Sequence, residues 1–481
     1  MASSPHSLSG YRAEPLLRRV VDGGFCIGCG ACAAVSGSPL RMKLQWDGLY
    51  RPEYAEGRGD VTGGQDLGDV CPFYSSIDET ALGVERFGKT AFRDPRVGFF
   101  RALYAGAVAD EARRAQSSSG GIVTWVLEQL LDEGLIDGVI HVSPSPQDDE
   151  GALFRYQVST EREGIAEGAK SRYYPVEFSR VTAFVREHPG RYAFVGVPCF
   201  VKAIRLLARQ DADVAQAVQY CIALFCGHMK SAAYAQHLGW QLGLPPDDLE
   251  GIDFRAKQPG QPANRYAVTV TGRRDDEPFE RTAPMRSLHG GDWGLGLFKP
   301  GACDFCDDIA GETADLACGD AWLPRFIGDS RGTSVIIVRS RALEELLDGG
   351  WVRGELTLQG IEVDDVVASQ AASYRHRGEG LAYRLALWDD AGLWRPLKRV
   401  TADKAPIGHR RRRIYELRLT LARRSHGAFA EARRRGRHAY FRWRMAPLLL
   451  RYYAVSEGAV RALAKAALRR LPAGVRPGRL L

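Results

Sequence analysis

Tyr192-Ala-Phe-Val-Gly-Val197, followed by Pro198-Cys199 and then the helical stretch Phe200–Gln210, decides the fold class. A short, almost wholly apolar run next to a helix predicts a strand buried on both faces of a sheet. The same pattern recurs on either side. Asp137–Ser143, Tyr220–Phe225 and Thr333–Val338 read as further buried strands, and Gly120–Glu133 and Arg341–Leu347 as helices beside them. Alternation of this kind predicts an α/β sheet covered on both faces, with ligands collecting at the C-terminal ends of its strands. Gly251–Lys257 and Arg265–Gly272 read instead as antiparallel strands, and the polar Arg273–Arg281 as a surface loop.

The surrounding 481 residues are 45% hydrophobic and 26% charged, with ten cysteines. This composition excludes a disordered, collagen-like or small disulfide-stapled protein. Single cores stop growing near roughly 250–300 residues, so several units are expected. The first twenty residues lack the apolar stretch and small-residue cleavage site of a secretory signal, and no run of about 18 apolar residues occurs. The expected location is therefore the cytoplasm, where thiols stay reduced and cysteines serve as buried hydrophobes, nucleophiles or metal ligands.

Charge is unevenly distributed. The formal net charge is +7, but from Lys398 onward 23 Lys and Arg face only four acids, Asp403, Glu416, Glu431 and Glu457. That segment carries about +19 and leaves about −12 on Met1–Leu397. It is helical in character, with Gly427, Gly436, Pro447 and Gly458 as expected breaks, and Val460–Leu471 places its apolar residues on one helical face.

Two cysteine patterns stand out. Residues 1–80 are loop-rich, and Cys26-Ile-Gly-Cys29-Gly-Ala-Cys32 with the later Cys71-Pro72 matches the spacing with which bacterial ferredoxins wrap a [4Fe–4S] cluster. Gly28 and Gly30 would let backbone amides approach the cluster. Ser36 stands where the ferredoxin run would place its next cysteine, so one cluster is expected here; a zinc ribbon is the alternative. The second pattern is dispersed: Cys199 and Cys226 follow predicted strands, and Cys303-Asp-Phe-Cys306 follows Lys299-Pro300-Gly301. These four could bind a second cluster or a structural zinc, or Cys199 could act as a nucleophile at a helix start. Cys221 and Cys318 read as buried non-ligands.

Ser117-Ser-Ser-Gly-Gly121 precedes a helix, where exposed amides favour a phosphate, although Ser-rich helix caps are also ordinary. Lys170-Ser171-Arg172-Tyr173-Tyr174 combines two cations with two rings, suited to a pyrophosphate and a stacked base, or simply to a solvated loop.

Taken in order, these segments resemble the coenzyme F420 hydrogenase/dehydrogenase beta-subunit family. The likeness rests on Cys26–Cys32, Cys71-Pro72, Ser119-Gly120-Gly121, Gly134-Leu-Ile-Asp-Gly138, Lys170–Tyr173, Val195-Gly-Val-Pro-Cys199, Leu224-Phe-Cys226, Cys303–Cys306 and Ala314–Trp322. It covers about residues 20–340. A related branch resembles ferredoxin-dependent tetrapyrrole reductases such as 7-hydroxymethyl chlorophyll a reductase. The resemblance implies an iron–sulfur flavoprotein oxidoreductase with two [4Fe–4S] clusters and FAD, exchanging electrons with ferredoxin or coenzyme F420, the latter as a co-substrate. It assigns Cys199, Cys226, Cys303 and Cys306 to the second cluster. Ser119, Gly120, Gly121, Lys170, Ser171, Arg172 and Tyr173 become flavin contacts, and Asp320 and Trp322 line the flavin site. No catalytic acid carries over.

The expected organisation is then a small ferredoxin-like iron–sulfur unit over 1–80, a central α/β flavin- and cluster-binding unit over 81–397, and a basic helical extension over 398–481. For the extension, an anionic membrane surface or an acidic redox protein suits Trp443, Tyr440, Phe441 and Leu448–Leu450 amid arginines. A solvated appendage is the plain alternative, and nucleic acid is not favoured. Oligomeric state is left open, a homo-oligomer included. The rival to a redox enzyme is a zinc-stapled binding module or a Cys199 thiol enzyme.

Overall fold

The computed structural model describes residues 10–60, 64–89, 92–145, 151–405 and 407–458. Its centre is an eight-stranded sheet. In chain order the strands are β1 (Ala102–Val108), β2 (Gly138–Pro144), β3 (Phe154–Ser159), β4 (Tyr192–Gly196), β5 (Val218–Leu224), β6 (Leu316–Asp320), β7 (Ser334–Val338) and β8 (Leu356–Gly360). They lie side by side as β8-β1-β7-β6-β5-β4-β2-β3. The middle four, β6-β5-β4-β2, run parallel, and the strands beyond them on both sides are antiparallel.

Alternation along each strand divides the side chains between two apolar layers. Phe194, Ile140, Ala223 and Val335 face one layer; Ala193, Val195, Val139, Ile222 and Ile336 face the other. Helix α1 (Ile122–Asp132) packs in the second layer through Ile122, Trp125, Val126 and Leu130, together with Leu343, Leu346 and Leu347 of helix Arg341–Val352. Helix α2 (Pro198–Ala208) packs in the first through Phe200, Val201, Ile204 and Leu207. The expected α/β sheet with helices on both faces is thus present, and its two outer antiparallel flanks add a mixed character.

A separate three-stranded antiparallel sheet joins Leu249–Ala256, Ala267–Arg274 and Glu277–Pro284. The expected surface loop over Arg273–Arg281 is therefore strand except for Asp275 and Asp276. Asp275 and Asp276 both adopt positive φ, 51° and 63°, which closes a two-residue hairpin, and the returning strand is polar because it faces solvent along most of its length.

The basic extension forms a hairpin of two long helices, α3 (His409–Arg434) and α4 (His438–Glu457), packed on the body. The expected amphipathic stretch Val460–Leu471 lies outside the described residues. Phe429 and Phe441 meet Phe298 with ring centroids 5.5 and 5.4 Å apart, and the Ser425 hydroxyl accepts a 2.8 Å bond from the Phe298 amide. One contiguous apolar cluster contains residues from Ala13 through the sheet to Tyr453. Among the described residues, no helix is long and apolar enough to cross a membrane.

Two measurements test this packing. Phe441 is 0% exposed between α4 and the body, and Phe441→Ala is expected to cost about 3–5 kcal/mol in denaturant unfolding. A change near zero would remove the hairpin from the core.

His438 sits at the same seam, its Nε2 3.1 Å from His237 Nδ1. Burial, reinforced by Arg442, pushes it down to about 4. The unfolded chain, with an ordinary pKa of about 6.5, therefore takes up this proton first as pH falls. Stability should decline between about 6.5 and about 4, and denaturant midpoints of His438→Gln should fall less over that window.

Candidate functional site

The first cysteine set is built on a tight loop. Gly28 takes φ +72°, and a β-carbon there would stand 2.6 Å from the Tyr50 carbonyl oxygen. Gly30, at φ +90°, precedes the helical turn Ala31–Ala34 and leaves no more room, with the Glu177 carboxylate 2.6 Å from a β-carbon's position. Cys71 arrives from the end of the short helix Leu67–Val70. Cys26, Cys29, Cys32 and Cys71 then line one cavity whose remaining wall is apolar, with Val20, Phe25, Ile27 and Phe73. The Gly28 amide donates to Cys26 Sγ at 3.4 Å. Burial pushes all four thiols up, Cys71 to about 12, while Arg51 pulls Cys26 and Lys202 pulls Cys71 the other way.

The second set gathers where the parallel strands end. Cys199 occupies the first turn of α2, immediately beyond β4, and Cys226 lies two residues past β5. Cys303 and Cys306 come back to them on and just after the short helix Gly301–Phe305. Burial again raises all four thiols, Cys226 to about 11 and Cys303 to about 12. Each member's titration is pushed further by another of the set or eased by a buried cation. Arg377 lowers Cys226 and Cys306, Lys398 lowers Cys306, and Lys299 lowers Cys303. The Met229 amide donates to Cys303 Sγ at 3.4 Å.

The two sets meet. Cys29 is among the groups that raise Cys199, and Tyr156 feels both of them. The Tyr156 ring stacks on Phe194 and Phe200 and its hydroxyl donates to the Val195 carbonyl at 3.0 Å. Cys221 and Cys318 are buried within β5 and β6 and belong to neither set. Among the described residues, no group of three or more His, Cys, Asp or Glu is arranged to hold a single metal ion.

A cleft opens at the end of β6, the next strand along. It is lined by Ser118, Arg255, Lys257, Tyr266, Asp320 and Trp322 among others. Arg255 makes two 2.8 Å bonds to the Asp320 carboxylate, while its Nε and the Trp322 Nε1 are buried without a hydrogen-bond partner. The enclosed space is about 10 Å³, room for about one water, and the Lys257 ammonium is held by the Arg114, Ser119 and Arg331 carbonyls, so the two unspent donors suit the polar edge of a ligand at the cleft's mouth. Burial, then Lys170 and Arg114, push Lys257 down to about 8.

The expected flavin contacts divide in their placement. Asp320 and Trp322 line the cleft, and Lys257 reaches its rim at the Ser119 carbonyl, 3.1 Å away. Lys170, held at φ +93°, bonds Asp253 at 3.1 Å, and the Ser171 amide donates to Ser118 Oγ at 2.7 Å, which ties the two motifs together. Tyr173 packs on Trp293 and Phe254, within electrostatic reach of both Asp320 and Cys226. Arg172 turns its guanidinium over Phe154, 4.8 Å from the ring centre. Ser119 and Gly120 are engaged elsewhere: Ser119 Oγ donates to the Thr333 carbonyl at 2.9 Å and the Gly120 amide donates to Ser334 Oγ at 3.1 Å. Gly121, at φ +84°, caps α1. The turn fastens α1 to β7 through these bonds, so its hydroxyl and one amide are not spare for a phosphate.

Arg255, Lys257, Arg265 and Tyr266 have no signature in the sequence. They sit on or between strands of the small antiparallel sheet, and a lone cation in a polar strand carries no signal until the sheet folds against β6.

Two family models match the chain, both describing the beta subunit of coenzyme F420 hydrogenase/dehydrogenase: that of its N-terminal part over residues 103–183, and that of its C-terminal part over residues 190–364. Together they cover just over half of the chain. The chain belongs to the coenzyme F420 hydrogenase/dehydrogenase beta-subunit family.

Its relatives in the family are distant. An uncharacterized protein of Methanocaldococcus jannaschii is 24% identical over 68% of this chain and 86% of its own length. The coenzyme F420-dependent sulfite reductase of the same organism is 23% identical over 72% of the chain but only 49% of the reductase, so the chain spans about half of that enzyme. Coenzyme F420 hydrogenase subunit beta of Methanothermobacter thermautotrophicus is 22% identical over 52% and 81%. A chain of the F420-reducing [NiFe] hydrogenase complex from Methanosarcina barkeri superposes with a TM-score of 0.47 at 19% identity, over 62% of this chain and 96% of that one. The matched family residues contain β1 to β8, Cys199, Cys226, Cys303, Cys306, Asp320 and Trp322; Cys26–Cys71 and the α3–α4 hairpin lie outside them.

Asp320→Ala should leave Arg255, whose side chain is 7% exposed, as a buried uncompensated cation. The expected loss is about 3–5 kcal/mol in thermal or denaturant unfolding. Asp320→Ala combined with Arg255→Met should recover much of it.

Proposed function

We propose that this chain is an oxidoreductase that holds two [4Fe–4S] clusters and one FAD and connects a redox carrier, ferredoxin or coenzyme F420, to a second acceptor. The observation that carries the reading is the order of the sites. Cys29 of the first quartet and Cys199 of the second lie within electrostatic reach of each other and of Tyr156, and Tyr173 similarly bridges Cys226 and the Asp320 cleft. Bound there, the clusters supply one-electron transfer and the flavin converts between single electrons and electron pairs.

The donor sets fit such groups. Each quartet offers four buried thiols whose protons must leave on binding, and each has cations in place to offset the negative charge that thiolate ligation brings. A tetrahedral zinc would need its four sulfurs within about 2.3 Å of one ion, whereas the thiolates of a cubane reach four separate irons.

At the cleft, Arg255 and Trp322 would present their spare N–H groups to the ring system of a flavin or an anionic co-substrate, and Lys257 a positive charge. Asp320 fixes the Arg255 plane. Glycines at 28 and 30 keep the first loop close to its cavity. The relatives named for coenzyme F420 favour that carrier as one redox partner.

Protein purified without oxygen should be brown, with about eight irons and about one flavin per chain, since two four-thiolate sites each hold a four-iron cluster. Cys29→Ser and Cys303→Ser should each remove about half of the iron and one of two cluster signals in electron paramagnetic resonance. Colourless protein with stoichiometric zinc would overturn the reading. Unchanged iron in Cys199→Ser would instead favour a thiol enzyme. Parallel anaerobic reduction by ferredoxin, reduced coenzyme F420 and NADPH identifies the carrier.

A further inference from the structure

Helix α4 turns its Phe441, Met445, Leu449, Tyr452 and Tyr453 into the body. Its opposite side is unusual for a soluble surface. At 100° per residue Ala439, Trp443, Ala446, Pro447 and Leu450 share that side, and all five are exposed, Trp443 at 66% and Leu450 at 37%. Arg442 flanks this stripe on one edge and Arg444 and Arg451 on the other, with Arg437 at the helix start. The eighteen residues Gly436–Tyr453 contain four arginines and no acid.

Three of the charges on this side, Arg437, Arg444 and Arg451, are also not taken up by acids. Most other arginines of the hairpin, Arg423 and Arg424 excepted, are engaged: Arg433 pairs with Asp247 at 2.6 Å, Arg435 with Glu431 at 2.6 Å, and Arg418 bonds the Tyr452 hydroxyl at 3.1 Å. Among the described residues, Arg437 and Arg451 have no acidic partner, and Arg444 only lies over the Trp443 ring, 6.0 Å from its centre. Exposed tryptophan beside unpaired arginines costs solubility and gains nothing in fold stability.

We propose that the outer side of α4 seats on an anionic phospholipid surface, with Trp443, Pro447 and Leu450 at the headgroup level and the flanking arginines on lipid phosphates. A lipid surface fits better than an acidic protein for a physical reason. The stripe is apolar at its centre and cationic at both edges, which matches a flat boundary between acyl chains and phosphates. An acidic protein surface would leave Trp443 and Leu450 against carboxylates.

The test uses the full chain with its cofactors and vesicles of phosphatidylcholine, alone or mixed with phosphatidylglycerol, separated by flotation. Wild type should float with the mixed vesicles at low salt, not with phosphatidylcholine alone, and should be released by high salt. Each basic residue near an anionic surface contributes roughly a five-fold gain in partitioning, so Arg437→Gln/Arg444→Gln/Arg451→Gln should lose on the order of a hundred-fold. Trp443→Ala should weaken binding at every salt concentration. Iron and flavin content should match wild type in both variants, because none of these residues touches the body. Absence of vesicle binding by wild type, equal binding by the triple variant, or unchanged binding by Trp443→Ala would each overturn the proposal.

Discussion

The segment Lys299–Asp308 must bring two cysteines against the ends of β4 and β5, and it buries three carboxylates in doing so. A buried carboxylate without a partner costs several kcal/mol, so every one of them has to be answered by a cation or a donor. Asp304 is answered by Lys299, with His376 and Arg384 close by; although burial opposes them, together they hold its carboxyl well below the usual range. Asp307 takes Lys398 at 3.3 Å and Arg399, and Asp308 accepts the amides of Gly311 and Glu312 at 2.8 and 2.9 Å. Arg377 donates to the Asp308 and Gly227 carbonyls, and Arg384 to that of Asp304 at 2.7 Å.

Most of these cations come from residues 377–399, beyond the residues matched by the family models. The chain after residue 364 is therefore not an attachment to a finished domain. It carries the charges that answer the acids beside the second quartet, and α3 and α4 then close over the adjacent Phe298 through Ser425, Phe429 and Phe441. The cations serve twice. Arg377 and Lys398 compensate acids in the loop and, at the same time, lower the pKa of Cys306, and Arg377 that of Cys226 as well.

Legibility followed chemistry at close spacing. The Cys26–Cys32 loop with its two glycines, the strands at Tyr192 and Thr333, and the helices after them could be read because each depends on neighbours in sequence. Cys199, Cys226, Cys303 and Cys306 could be grouped from their places after predicted strands, but only the family likeness favoured a shared cluster over zinc or a thiol nucleophile, since the spacing between them is set by a sheet that the residues themselves do not encode. Ser119-Gly120-Gly121 shows the reverse case. Its composition suits a phosphate, but β7 runs beside it and takes the Ser119 hydroxyl and the Gly120 amide. Arg255 and Lys257 were silent in sequence because only the folded sheet places them opposite Asp320, which the family likeness alone had marked.

Sequence by itself determined the alternating strands, their helices, the first thiol loop and the uneven charge, all of which follow from periodicity, glycine conformation and composition within a few residues. Tertiary structure alone decided which cysteines and cations meet, that the basic hairpin packs into the common core, and which of its arginines remain facing outward. The physical reason is range. Backbone preference and side-chain alternation act locally, while burial of charge and apolar packing are properties of elements brought together from opposite ends of the chain.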